Sequence, residues 1–198
     1  MSFFKKFIFS PLLESKSSGQ KIAYLGLLTA FVVVANAFFT VKLTFLEFNF
    51  MITVCALVGV LVGCGYGFAV CFLGDLIGFF INPMGAYMPW IGISNGLTAV
   101  FSGALLSGEK MENRLGRYLR TAIFCLLSFF VCSVGITNTA FYFTYHIKDF
   151  ANVSWTTYWA YFSTRYLVGG QIYNNLVNYV IIFFLPVFLR KLPIYKNK

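Results

Sequence analysis

Long apolar runs alternate with short breaks rich in charge, glycine or proline along the whole chain, and each run is of helical length. They predict helices over roughly 22–40, 49–64, 67–82, 90–107, 121–144 and 160–189. The breaks are VKLTFLEFN after the first run, Gly63-Cys64-Gly65-Tyr66-Gly67 after the second and Asn82-Pro83 after the third. The segment GEKMENRLGRYLR leads to the fifth run, YHIKDFANVSWTTYW precedes the sixth, and RKLPIYKNK closes the chain. A helix that crosses a bilayer needs about 20 apolar residues. The expected fold is therefore an all-α membrane protein with six transmembrane helices and both termini cytoplasmic. The second and third runs are short by that standard. Turns rich in Gly and Pro at membrane depth stand only where protein or a cavity supplies hydrogen-bond partners, which marks 82–90 as a re-entrant, site-forming loop.

Composition agrees with lipid as the main solvent. Apolar residues make up 59% of the 198 positions and charged residues 11%, and the mean hydropathy is +0.78. Too few charges remain to wet a globular exterior. The net charge of +9 raises nucleic acid as a partner, but the charges sort by topology instead. Lys5, Lys6, Lys16 and Lys21, then Lys110, Arg114, Arg117 and Arg120, then Arg190, Lys191, Lys196 and Lys198 fall inside, against Lys42, Lys148 and Arg165 outside. An odd number of spans would put the C-terminal cluster on the wrong side. Residues 1–21 read as a cytoplasmic or interfacial arm, since Pro11, Glu14 and Lys16 interrupt the leader-like start and no small-residue cleavage site follows. Residues 22–190 then form one transmembrane domain, and 191–198 a cytoplasmic tail.

Candidate chemistry is sparse. The five cysteines lie in or beside apolar runs without metal-ligand spacing, His146 is the one histidine, and no phosphate-binding loop occurs. Asp75 is the one carboxylate in an apolar run, too few for a proton-coupled carrier. No enzyme, cofactor or metal centre is expected, and binding coupled to energy supplied by another subunit becomes attractive. The strongest local signal is Asp75-x-x-Gly78 followed by Phe80-Ile81-Asn82-Pro83-Met84-Gly85-Ala86-Tyr87-Met88-Pro89-Trp90. Two prolines and a glycine force a compact turn, and Tyr87 and Trp90 offer flat faces to a planar ligand. The same residues also suit an ordinary hairpin with interfacial aromatics. Trp155, Tyr158 and Trp159 divide the same way between a pocket roof and an aromatic belt. Arg165 opens the last helix, where it pairs with a ligand carboxylate or snorkels to lipid phosphate.

Phe48 to Gly108 resembles the S components of energy-coupling factor (ECF) vitamin transporters, in particular the folate family. The matches are Asp75, Gly78, Pro83, Gly85, Ala86, Tyr87 and Pro89, then Gly96, Gly103 and Gly108, with Asn138-Thr139, Arg165 and Gln171 further on. Met84 and Trp90 depart from that pattern, which carries Thr and Gly there. The resemblance implies a substrate-capture subunit with an outward pocket built by Gly85, Tyr87, Trp90, Asn95, Asn138, Thr139, Arg165 and Gln171. Tyr87 and Trp90 would stack the planar part of a vitamin, Asn95 and Asn138 would bond its ring edge, and Arg165 would hold an anionic tail. It further implies docking through Gly26, Ala30 and Val34 of the first helix onto a transmembrane coupling subunit that carries two cytoplasmic ATPases. Internal packing is the other use for that small-residue face. The expected location is a bacterial cytoplasmic membrane. Folate is the preferred ligand. The alternatives are cobalamin, pantothenate, a queuosine precursor or a pyridoxine-type compound, and outside transport a structural membrane subunit or a lipid-modifying enzyme.

Overall fold

The computed structural model describes residues 10, 13, 16–42, 47–83, 87–107, 114–146 and 153–189, with side chains at 41, 42, 47, 114 and 186–189 excepted. The first helix, α1 (Ser18–Phe38), begins before the expected position because Ser17 and Gln20 form a capping box. The Ser17 hydroxyl accepts from the Gln20 amide at 3.4 Å, and the Gln20 side chain accepts from the Ser17 amide at 3.2 Å. Such a cap satisfies two orphan N–H groups, so helix forms in spite of the polar surroundings. Within the expected arm, Ser10 and Leu13 are buried; Leu13 packs with Leu28, Val58 and Val62, and the Ser10 amide donates to Val62 at 3.3 Å.

A minimal antiparallel pair follows, β1 (Val41–Lys42) with β2 (Glu47–Phe48), in the register Val41 to Phe48 and Lys42 to Glu47. Next come α2 (Met51–Val62) and α3 (Cys64–Ile81). The expected five-residue turn contracts to Gly63, whose φ of 90° is open to glycine and strained for other residues. Then α4 (Pro89–Leu106) starts with proline in its first turn, where no N–H is missed. The helices α1 to α4 pack closely, with the most extensive contacts between α3 and α4, α2 and α4, and α1 and α3. Gly59 and Gly103 permit this approach. A Cβ on Gly103 would stand 2.8 Å from the Gly59 carbonyl oxygen, and one on Gly59 would run into Ala99 and Ser102.

The fifth helix runs unbroken from α5 (Arg114–Leu127) through a π-helical stretch (Ser128–Asn138) into α6 (Thr139–Tyr145). The last expected helix is divided. Its first part is α7 (Trp155–Ser163) with a π-helical turn (Thr164–Val168), and its second is α8 (Gln171–Leu189). A bend of 60° separates the two parts. Gly169 and Gly170 make that bend, since Gly170 has a φ of 68° and a Cβ on Gly169 would lie 2.7 Å from the Arg165 carbonyl oxygen.

Among the described residues three helices are long and apolar enough to cross a membrane, Ser18–Phe38, Cys64–Ile81 and Leu115–Tyr145, and the bent pair makes a fourth if counted as one span. The expected count of six is not met by length and apolarity. At 12 residues α2 is only about 18 Å long, and α4 carries Ser94, Asn95, Thr98 and Ser102 along its 18 residues. Both helices are largely covered by their neighbours: Val58, Cys55 and Ala56 of α2 and Ala99, Ser102 and Leu106 of α4 are fully inaccessible. Protein, more than lipid, solvates them.

Candidate functional site

Polar groups from α1, α3 and α4 converge on Asp75. Its Oδ1 accepts from Asn95 Nδ2 at 2.9 Å and from Asn36 Nδ2 at 3.2 Å, and Asn36 also donates to the Asp75 backbone carbonyl at 3.1 Å. Gly78 makes room for this, because a Cβ there would stand 2.9 Å from Asn36 Nδ2. Asp75 and its two amide partners line one 390 Å³ cavity, and the two side-chain bonds leave Oδ2 without a partner among the described residues. Along the same wall Thr137 donates to the Ser94 hydroxyl at 3.0 Å, which in turn donates to the Cys132 carbonyl at 3.1 Å. The π-helical stretch carries Cys132, Ser133 and Thr137 of this wall. Short π-helical insertions recur at functional sites because they displace the side-chain register from that of an α-helix.

The bend supplies a further part of the lining. Arg165, in the second π-helical turn, lines the cavity with Gln171 and Asn174 of α8. Its guanidinium lies 4.1 Å from the centre of the Phe141 ring, a cation–π contact. Nη1 of Arg165 is buried and has no hydrogen-bond partner among the described residues, as are the Tyr87 hydroxyl and Asn174 Nδ2. Asp75 is the one carboxylate among the described side chains and takes its bonds from asparagines, so Arg165 has no carboxylate partner among them. Tyr87 leans on Phe79, ring centres 5.1 Å apart, at the level where α3 gives way to α4.

Of the residues expected from sequence, the structure gathers Tyr87, Asn95, Arg165 and Gln171 on this cavity. Trp90 and Thr139 do not reach it. Trp90 is exposed and lines a separate apolar groove with Gly135, Ile136, Thr139, Ala140, Phe143 and Thr144. It sits two residues into α4, where the helical rotation turns it away from Ile91 and Asn95. Thr139 bonds the Tyr158 hydroxyl at 3.2 Å and faces the same groove. Asn138 is fully buried away from the cavity, with both amide atoms unpaired among the described residues. Gly85 lies outside the described residues. Trp155 and Trp159 are exposed and Tyr158 packs between them, so none of the three lines the cavity. Gly26, Ala30 and Val34 share the outward face of α1, and a Cβ on Gly26 would meet nothing within 4 Å. Sequence reasoning passed over Asn36, Ser94 and Thr98, which also line the cavity. Their one legible signal is a polar side chain inside an apolar run.

The fold defines a multi-pass helical membrane protein with a polar-lined cavity between α1, α3, α4, the π-helical stretch and the α7–α8 bend. Among the described residues no group of His, Cys, Asp or Glu is placed to hold a metal. The family model described as ECF-type riboflavin transporter, S component, matches residues 16–191, so the chain belongs to the S components of ECF transporters, a family of transport subunits. A crystal structure of FolT bound with folic acid shares the fold, with a TM-score of 0.65, 20% identity, and coverage of 87% of this chain and 94% of that one. At that identity the likeness speaks for the fold alone. The comparison with curated proteins finds no match.

Proposed function

We propose that this chain captures a vitamin from outside a bacterial cell and hands it to an ATP-driven coupling module. One observation carries the reading: one partly open cavity is lined both by a carboxylate, Asp75, and by Arg165, a guanidinium without a carboxylate partner among the described residues. Arg165 is half-buried with one inaccessible, unpaired nitrogen, and a carboxylate would satisfy its fork, so the ligand in this reading has an anionic end. A carboxylate flanked by two amides calls for N–H donors at the other end. Folate has both, a pterin edge with its 2-amino group and ring N–H, and a carboxylate tail, and is the preferred ligand. Riboflavin is the second reading, favoured by the description of the matching family; its ring offers an N–H to Asp75, but its neutral polyol leaves Arg165 uncompensated.

The chain crosses the membrane six times in this reading, with α2 and α4 as short or polar crossings sheltered by their neighbours. Its N-terminal arm and C-terminal tail lie on the cytoplasmic side. The outward stripe of Gly26, Ala30 and Val34 lets a helix of a transmembrane coupling subunit approach closely, and two ATPase subunits complete the assembly. A structural subunit has no use for a polar cavity with unpaired donors.

The test is calorimetry on the purified, folded chain with folate, riboflavin, cobalamin, pantothenate, a queuosine precursor and pyridoxine. Saturable binding of folate, weakened by Arg165→Ala, is the expected result. A folded protein that binds none of them sinks the proposal.

A further inference from the structure

Asn174 has a side chain whose two ends face different tasks. Its Oδ1 accepts from the Asn49 amide at 3.0 Å and from Asn178 Nδ2 at 3.4 Å. Two donors on one atom fix it as the oxygen. The other atom, Nδ2, is then a pair of N–H donors, buried and unpaired among the described residues, on a residue that lines the cavity and is 1% exposed. Leaving such a group unpaired is unfavourable. Arg165 and Tyr87, which line the same cavity, each carry a buried, unpaired donor as well, Nη1 and the hydroxyl. These groups are short of acceptors, and the cavity is where acceptors can arrive.

The oxygen end of Asn174 belongs to a clamp on the start of α2. Asn178 accepts from the Thr53 amide at 3.1 Å and the Thr53 hydroxyl at 2.8 Å, and donates to the Asn49 carbonyl at 2.8 Å. The clamp satisfies backbone groups at the N-terminal end of α2, which has no side-chain cap of its own at Phe50. Asn49 and Met51 also line the cavity.

We propose that Asn174 is a specificity-determining residue, whose Nδ2 binds the anionic end of the vitamin beside Arg165 while its Oδ1 ties that end to the segment entering α2. The assignment rests on the vitamin-capture reading and adds a residue and a coupling to it. Ligand occupancy then orders the start of α2. Ligands without an anionic end bind without this effect.

The experiment compares folate with its tail-less fragment 6-hydroxymethylpterin on the full chain in detergent. Asn174→Asp keeps an oxygen for Asn49 and replaces the donors with negative charge. It is expected to weaken folate by about tenfold or more while 6-hydroxymethylpterin stays within about twofold. Asn175→Asp is the control, since Asn175 is equally buried on the same helix but does not line the cavity; it is expected to leave the ratio of the two affinities unchanged. In the unmutated protein, folate is expected to slow hydrogen exchange at the Asn49 and Thr53 amides more than the fragment does, a measurement independent of how the variants fold. Equal losses for both ligands, or equal protection by both, overturn the assignment. An unmutated protein that binds neither ligand instead removes the vitamin reading itself, before any variant is made.

Discussion

Asn95 of α4 donates to Asp75 of α3 across 2.9 Å, and Asn36 of α1 reaches the same oxygen from the other side at 3.2 Å. Three helices are thereby tied at one buried carboxylate. The arrangement holds the carboxylate in place and spends only one of its oxygens, leaving the second without a partner among the described residues.

Gly78→Ala is expected to destabilise the protein by about 1–3 kcal/mol and to weaken ligand binding as well. The new methyl would stand 2.9 Å from the Cβ and Nδ2 of Asn36, so Asn36 must leave Asp75. Thermal unfolding in detergent and a binding isotherm on the same sample check both parts.

Asp75→Asn should lower folate affinity by roughly tenfold to a hundredfold, the size of a lost charged hydrogen bond. The amide presents a donor where the ring edge also presents donors. Calorimetry against the unmutated chain decides; unchanged affinity would show that the carboxylate serves packing alone.

Arg165→Lys is expected to recover only part of what Arg165→Ala loses. Lysine keeps the charge but not the planar fork, nor the same stacking on Phe141 at 4.1 Å. Affinities of the three proteins for folate, measured at one ionic strength, test the order.

Trp90→Ala should leave folate affinity within about twofold, because Trp90 lines the apolar groove and not the cavity. A large loss would mean that the turn before α4 rearranges on binding.

Ala30→Leu on the outward face of α1 is expected to spare both stability and ligand binding while uptake by cells falls. Ala30 is exposed and packs on nothing inside the chain that a larger side chain would disturb. Binding by the purified chain and vitamin accumulation in whole cells, measured in parallel, separate capture from docking.

The helical, lipid-facing character of the chain was plain from its apolar runs, since periodic hydrophobicity acts locally and needs no partner to be read. Arg165 and Tyr87 also stood out, as polar or amphipathic groups in or beside an apolar run, while Asn95 and Gln171 came in through the family resemblance. Their company did not. Asn36 and Asp75 are 39 positions apart in the chain, and nothing in either segment says that Gly78 clears a path between them. Trp90 and Asn138 looked as well qualified as their neighbours, yet helical rotation turned one outward and buried the other.

The division has a physical cause. Propensity, hydropathy and charge placement are properties of a residue and its near neighbours, so helices and a membrane habitat can be read along the chain. Convergence depends on how helices rotate and bend against one another. Here that was decided by close packing at Gly59, Gly78 and Gly103, by π-helical turns that shift the side-chain register, and by the bend at Gly169–Gly170 that brings Arg165 and Asn174 onto one cavity.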